Sequence, residues 1–231
     1  MIHHKLLRLS AILLLIGIVL SDIFQYLHPG GGPTYDETFA NYARSSDWAA
    51  IHLAQFMGEA ILLAGLLVLF FALNLTERAP RWLGFFGAIS AGVALALAGV
   101  LYAIDGVALK QAVDAWATAP AAEQMSRLSS AEAIRWLEWG TNSYWNLMQG
   151  FALLLFAVVI VWTARVPRII GFLMGLSGLA FFLVSWLVGT EGFTSATTLP
   201  NYAAYTFLFV LAIWLLIVAL RRKAAVQVAI G

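Results

Sequence analysis

WAAIHLAQFMGEAILLAGLLVLFFALNL, residues 48–75, is the stretch that decides the architecture of this chain. An α-helix rises about 1.5 Å per residue, so about 20 mostly apolar residues cross a hydrocarbon layer about 30 Å thick. This stretch is long enough. A strand exposed to lipid would leave backbone groups unpaired, so the segment is read as a spanning helix. Three polar side chains interrupt it, His52, Gln55 and Glu59, spaced three and four apart and therefore on one helix face. Glu59 lies about 17 Å of helix rise beyond Trp48, near mid-membrane. A charged side chain at a helix centre costs about 2.5 to 3.5 kcal/mol on insertion scales, so Glu59 must be neutral, paired or turned towards an internal cavity.

Outward from this helix, residues 6–27, 82–104, 136–164, 169–189 and 202–220 are apolar stretches of the same kind. The chain is therefore expected to be an all-α integral membrane protein, a six-transmembrane-helix bundle forming one domain over residues 1–231. Breaks separate the spans: His28-Pro29-Gly30 closes the first, Pro80-Arg81 precedes the third, and Pro167 precedes the fifth. Composition points the same way. Residues of the hydrophobic class make up 62% and charged ones 11%, whereas a soluble domain carries about 25% charged residues. A net charge of +1 gives no reason to invoke nucleic acid. The chain has no cysteine, which excludes thiolate metal sites, thioether-linked haem and a cysteine nucleophile. The first span follows His3, His4, Lys5 and Arg8 like the core of a signal peptide. It is longer than such a core, and no small-residue cleavage site precedes Asp22, so it is expected to stay in place.

Lysine and arginine set the expected orientation. Lys5, Arg8, Arg78, Arg81, Arg165, Arg168, Arg221, Arg222 and Lys223 flank one side; Arg44, Lys110, Arg127 and Arg135 flank the other. The positive-inside bias then places both termini in the cytoplasm. The outer loops, 28–47 and 106–135, are the long ones, which puts function on that side. Residues 107–116 read as an extension of the third span, and the stretch after Pro120 as a short surface helix. Trp48, Trp82, Trp136, Trp139, Trp162 and Trp186 fall near the expected interfaces, where aromatic belts form.

Residues 47–106 and 138–192 resemble each other as two parallel-repeat hairpins, spans 2–3 and 4–5. Asp47-Trp48 matches Glu138-Trp139, Pro80-Arg81-Trp82-Leu83-Gly84-Phe85 matches Pro167-Arg168-Ile169-Ile170-Gly171-Phe172, and Asp105-Gly106 matches Glu191-Gly192. Copies that start from the same side are related by an axis along the membrane normal.

The fourth span carries a second polar stripe, Glu138, Asn142, Asn146 and Gln149, with Trp145 beside it. Tyr102, Asp105 and Glu191 border the same half of the membrane, and the cytoplasmic half is almost wholly apolar. The expectation is a cup that opens outward over an apolar floor. Gln55, Asn142, Asn146, Gln149, Tyr102, Asp105, Glu191 and Trp145 would line it, and Glu59, His52 and Glu138 would supply acid–base groups. The spacing does not show His52 converging with Glu59, Asp105 or Glu138, so no metal site is expected. A haem held axially by His52 is the cofactor the histidines leave open. Carboxylates and amides outnumber histidines there, which favours an apolar or lipid-like ligand instead.

His28-Pro29, a polar loop and then Trp48-x-x-x-His52 resemble a pattern in uncharacterised bacterial multi-pass membrane proteins. The resemblance covers the first two spans, and implies a bacterial inner-membrane location and no catalytic role. Three functions fit these features: an intramembrane acid–base enzyme of isomerase or cyclase type acting on a lipid-like substrate, a proton-coupled small-molecule transporter, and a non-catalytic accessory or lipid-binding protein.

Overall fold

The structure is a computed structural model that describes residues 2–228, with the side chains of 2–221. Arg222 and Lys223, two of the charges used for orientation, lie outside the described side chains. Eight α-helices follow one another: α1 (His4–Leu27), α2 (Tyr35–Ala43), α3 (Trp48–Leu73), α4 (Arg78–Ala103), α5 (Lys110–Ala117), α6 (Gln124–Thr163), α7 (Arg168–Glu191) and α8 (Thr198–Val228). A π-helical segment, Ile104–Leu109, joins α4 to α5 without a break, and no strand occurs among the described residues. Six helical stretches are long and apolar enough to cross a membrane: α1, α3, α4 through α5, α6, α7 and α8. The protein is an all-α six-helix membrane bundle. Trp82, Trp136, Trp162 and Trp186 are exposed on its outside, as belt residues are. Trp48 is not one of them: it is 1% exposed, inside the protein.

The spanning helices close a ring in chain order, each packed on the next, with α8 returning to α1. Glycines set the closest approaches. A Cβ on Gly17 of α1 would lie 2.5 Å from the Leu62 backbone nitrogen of α3, and one on Gly150 of α6 would lie 2.8 Å from the Gly178 carbonyl oxygen of α7. Without a hydrophobic drive between helices in lipid, close backbone packing of this kind holds spans together. At the end of the ring that carries the chain termini the centre is filled. Leu62, Leu66 and Leu69 of α3 meet Leu153 and Phe156 of α6, Met174 of α7, and Leu211 and Leu215 of α8, all fully buried.

The opposite end is capped by elements that a loop reading leaves out. Helix α2 lies within the first long loop. Thr34 accepts a hydrogen bond from the Glu37 backbone N–H at 3.3 Å, and Asp36 and Glu37 sit in the first turn, where a helix favours negative charge. Phe39 and Tyr42 of α2, Trp48, Leu109, Val113 of α5 and Ala131 of α6 form a second apolar core under the cap. The extension of the third span is present through Ala117. The separate surface helix is not: residues from Gln124 onward are the start of α6, which runs unbroken for 40 residues because no proline interrupts it before Pro167.

The two Pro-Arg junctions sit differently on their helices. Pro80 is in the first turn of α4, whereas Pro167 is the residue before α7. Each connecting turn nevertheless begins with a left-handed residue four positions ahead of the helix, Asn74 at φ 45° and Ala164 at φ 47°.

Candidate functional site

A cavity of about 880 Å³ occupies the centre of the ring in its capped half. That is within the range of small-molecule sites. Gln55 and Glu59 come from α3, Tyr102 from α4 and Asp105 from the π segment. Arg135, Glu138, Asn142, Trp145 and Asn146 form the α6 wall. Ser21, Asp22 and Gln25 of α1 face Asn201, Tyr202 and Tyr205 of α8. Gln55 and Glu59 of one predicted stripe and Glu138, Asn142 and Asn146 of the other thus border one space, each set contributed by helical periodicity on its own span.

Glu59 is 1% exposed. Its Oε1 accepts a hydrogen bond from the Tyr205 hydroxyl at 2.9 Å. One carboxyl oxygen is therefore oriented by α8, and the Ser21 hydroxyl of α1 lies beside the same carboxyl group. Gln55 Nε2 donates to Gln25 Oε1 of α1 at 3.3 Å, and Asn146 Nδ2 donates to Asn142 Oδ1 at 2.7 Å, so the α3 stripe is tied to α1 and the α6 stripe is partly self-satisfied. Trp145 lines the space with an unpartnered indole N–H. Two expected lining residues are elsewhere. Gln149 is fully buried below the cavity wall with neither amide atom partnered, and Glu191 is exposed at the end of α7.

His52 also departs from its expected place on the main wall. It borders a lateral pocket of about 190 Å³ with Phe56, Gly99 and Tyr102, and reaches the main cavity through neighbours that line it, Asp105 and His28. The His52 Nδ1–H donates to the Trp48 carbonyl oxygen at 2.7 Å, because a carbonyl can only accept. Nε2 then lies 3.0 Å from Asp105 Oδ2. Nε2 and the Asp105 carboxylate thus face each other at hydrogen-bond distance. Two local features allow this meeting. Gly106 would place a Cβ 2.8 Å from the His52 Cβ, so only glycine lets α3 come this close. The π segment begins there, and such segments recur at functional sites.

His28 completes the cluster from the first loop. Its Nδ1–H donates to the Pro29 carbonyl oxygen at 2.9 Å, and its ring centre is 4.9 Å from that of His52 and 5.1 Å from Trp48. Burial pushes the His28 pKa down to about 4 against the pull of Asp105, so the ring is neutral near pH 7. His28, His52 and Asp105 each offer a ligand atom, all within 4.8 Å of one another. The expectation of no converging ligands is corrected here: 53 residues separate His52 from Asp105 in sequence, and the spacing carries no trace of their contact.

Glu138 is held at the cavity wall by Arg135, three residues earlier on α6. Arg135 also donates to the Tyr42 hydroxyl at 3.1 Å and lies 4.8 Å from the centre of the Phe193 ring. Burial raises the Tyr42 phenol to about 12, so it stays protonated. Arg135 and Tyr42 are site residues that sequence reading missed, whereas Tyr205 is one of the polar groups the sixth span places in this half. Only Arg135 left a signal, its position three before Glu138 on a helix.

No protein-family model, no curated protein and no solved structure matches the chain. The chemistry is therefore argued from the site itself.

Proposed function

We propose that the protein is a membrane-embedded acid–base enzyme of isomerase or cyclase type that acts on an amphiphilic, lipid-like molecule. In this reading it lies in a bacterial inner membrane with both termini cytoplasmic, and the capped end faces outward. The observation that carries the reading is Glu59: a buried carboxyl group on a residue that borders the cavity, with one oxygen oriented by Tyr205 and the Ser21 hydroxyl beside it. Glu59 donates a proton to an alkene, epoxide or carbonyl of the bound molecule. Glu138, positioned by Arg135, accepts a proton released elsewhere on it; the two acids have then exchanged states, and loss of the Glu138 proton to solvent and uptake of one by Glu59 restore the enzyme with no net proton consumed. Asp22, Gln25 and Tyr26 of α1 and Tyr202 and Phe209 of α8 are exposed and line the same space. They form an amphipathic cleft between the outer halves of two spans, suited to a molecule arriving from the outer leaflet. The filled apolar core below weighs against a transport path.

The test is turnover of an extracted bacterial lipid fraction by the purified protein in detergent, followed by mass spectrometry. General acids contribute about 10²- to 10⁴-fold to rate, so Glu59→Gln should lower turnover by at least about 100-fold while the helical signal and melting transition persist. Activity that appears only in sealed vesicles with a proton gradient would overturn the reading in favour of transport.

A further inference from the structure

We propose that His28, His52 and Asp105 form a binding site for one divalent first-row metal ion of the zinc or ferrous class, at the mouth of the cavity. Two imidazoles and a carboxylate are the donor set of such ions. Hard cations such as calcium and magnesium take oxygen ligands, and the copper(I) and iron–sulfur classes need sulfur.

Four observations support the site. The three ligand atoms lie within 4.8 Å of one another, although they come from a loop, a spanning helix and a π segment. Ligands about 2.1 Å from one ion at a tetrahedral angle are about 3.4 Å apart, so small side-chain rotations close the set. Both imidazoles have Nδ1–H committed to a main-chain carbonyl, Trp48 at 2.7 Å and Pro29 at 2.9 Å. That arrangement fixes the tautomer, leaves each Nε2 with its lone pair and is how metal-bound histidines are usually held. Asp105 is 9% exposed, and its Oδ1 has no partner. Lastly, His28 and Asp105 line the main cavity, so any coordination position not filled by protein faces the bound molecule.

The competing account is a tie between helices, in which His52 and Asp105 only join α3 to the π segment. It explains neither the third side chain nor the orphaned Asp105 oxygen. Glu59 lies seven residues beyond His52, about 10 Å deeper along α3. On the acid–base reading above, the metal therefore meets the polar head of the amphiphile, which is of a class that offers a ligand oxygen, a phosphate, carboxylate or hydroxyl.

The experiment uses the full chain with a tag free of histidine and with His3→Ala and His4→Ala, which removes terminal imidazoles. After equilibration with Zn²⁺ and desalting, elemental analysis should find one zinc per chain, removable by a chelator. Co²⁺ should replace it and give the visible ligand-field bands of a nitrogen–oxygen site. Loss of a hydrogen-bonding partner behind a ligand alone costs about 10- to 100-fold in affinity, so His28→Ala and Asp105→Asn should each cost at least that much. His28 lies outside the spans, and circular dichroism checks that its variant is folded. Glu59→Gln should keep the metal and lose turnover, which separates this site from the acid–base reading. Less than a tenth of an equivalent in the parent chain, or full binding that survives both His28→Ala and Asp105→Asn, would overturn the proposal.

Discussion

Arg135 and Glu138 illustrate how a single residue pair is priced inside this protein. Their side chains are 10% and 3% exposed, so the ion pair is shielded from water. Removing one partner of a buried pair strands the other charge and costs about 3 to 5 kcal/mol, whereas replacing both often costs little. Arg135→Met should therefore lower unfolding stability by roughly that amount. Arg135→Met with Glu138→Gln should recover most of it. Denaturant titration of the single and double variants gives the coupling energy. A value below about 0.5 kcal/mol, the scatter expected for independent sites, would show that the pair does not act as a unit.

Among the elements, glycine positions decide which helices touch. Gly17 of α1 sits where a Cβ would meet the Leu62 backbone nitrogen at 2.5 Å and the Gly58 carbonyl oxygen at 2.7 Å. Gly92 of α4 has nothing within 4 Å of its Cβ position. The same substitution should then act in opposite directions. Gly17→Ala forces α1 away from α3 and should cost about 1 to 3 kcal/mol, as overpacking does. Gly92→Ala removes only backbone freedom and should be neutral or stabilising by up to about 1 kcal/mol. Melting in detergent measures both, and equal effects would contradict the packing of α1 on α3. The proposed duplication of 47–106 in 138–192 also belongs to this scale. Its two turns share a left-handed residue four positions before the next helix, Asn74 and Ala164, although the Pro-Arg pairs do not occupy the same helical position.

For the molecule as a whole, the proposed orientation has a direct test because the chain contains no cysteine. Asp36 on α2 and Ala79 at the start of α4 are both exposed, at opposite ends of the bundle. With the capped end outward, Asp36→Cys should react with a membrane-impermeant maleimide on intact spheroplasts, and Ala79→Cys should react only after lysis. The reverse pattern would place the cavity mouth in the cytoplasm.

The sequence by itself determined the six apolar spans and the parts of the α3 and α6 polar faces that meet at the cavity, Gln55 and Glu59 with Glu138, Asn142 and Asn146. Transfer of a side chain into hydrocarbon and the 3.6-residue period of a helix are local properties, written in consecutive residues. It also held an overlooked local signal for α2: Thr34-Tyr35-Asp36-Glu37 is a Thr-x-x-Glu cap. The tertiary structure alone decided which groups on different elements meet. Tyr205 reaches Glu59 across 146 residues, Arg135 reaches Tyr42 across 93, and His28 joins His52 and Asp105 through a loop. Those meetings follow from how near glycine faces let helices approach and from where a π segment turns Asp105, and neither distance nor rotation between helices is encoded in the periodicity of any one of them.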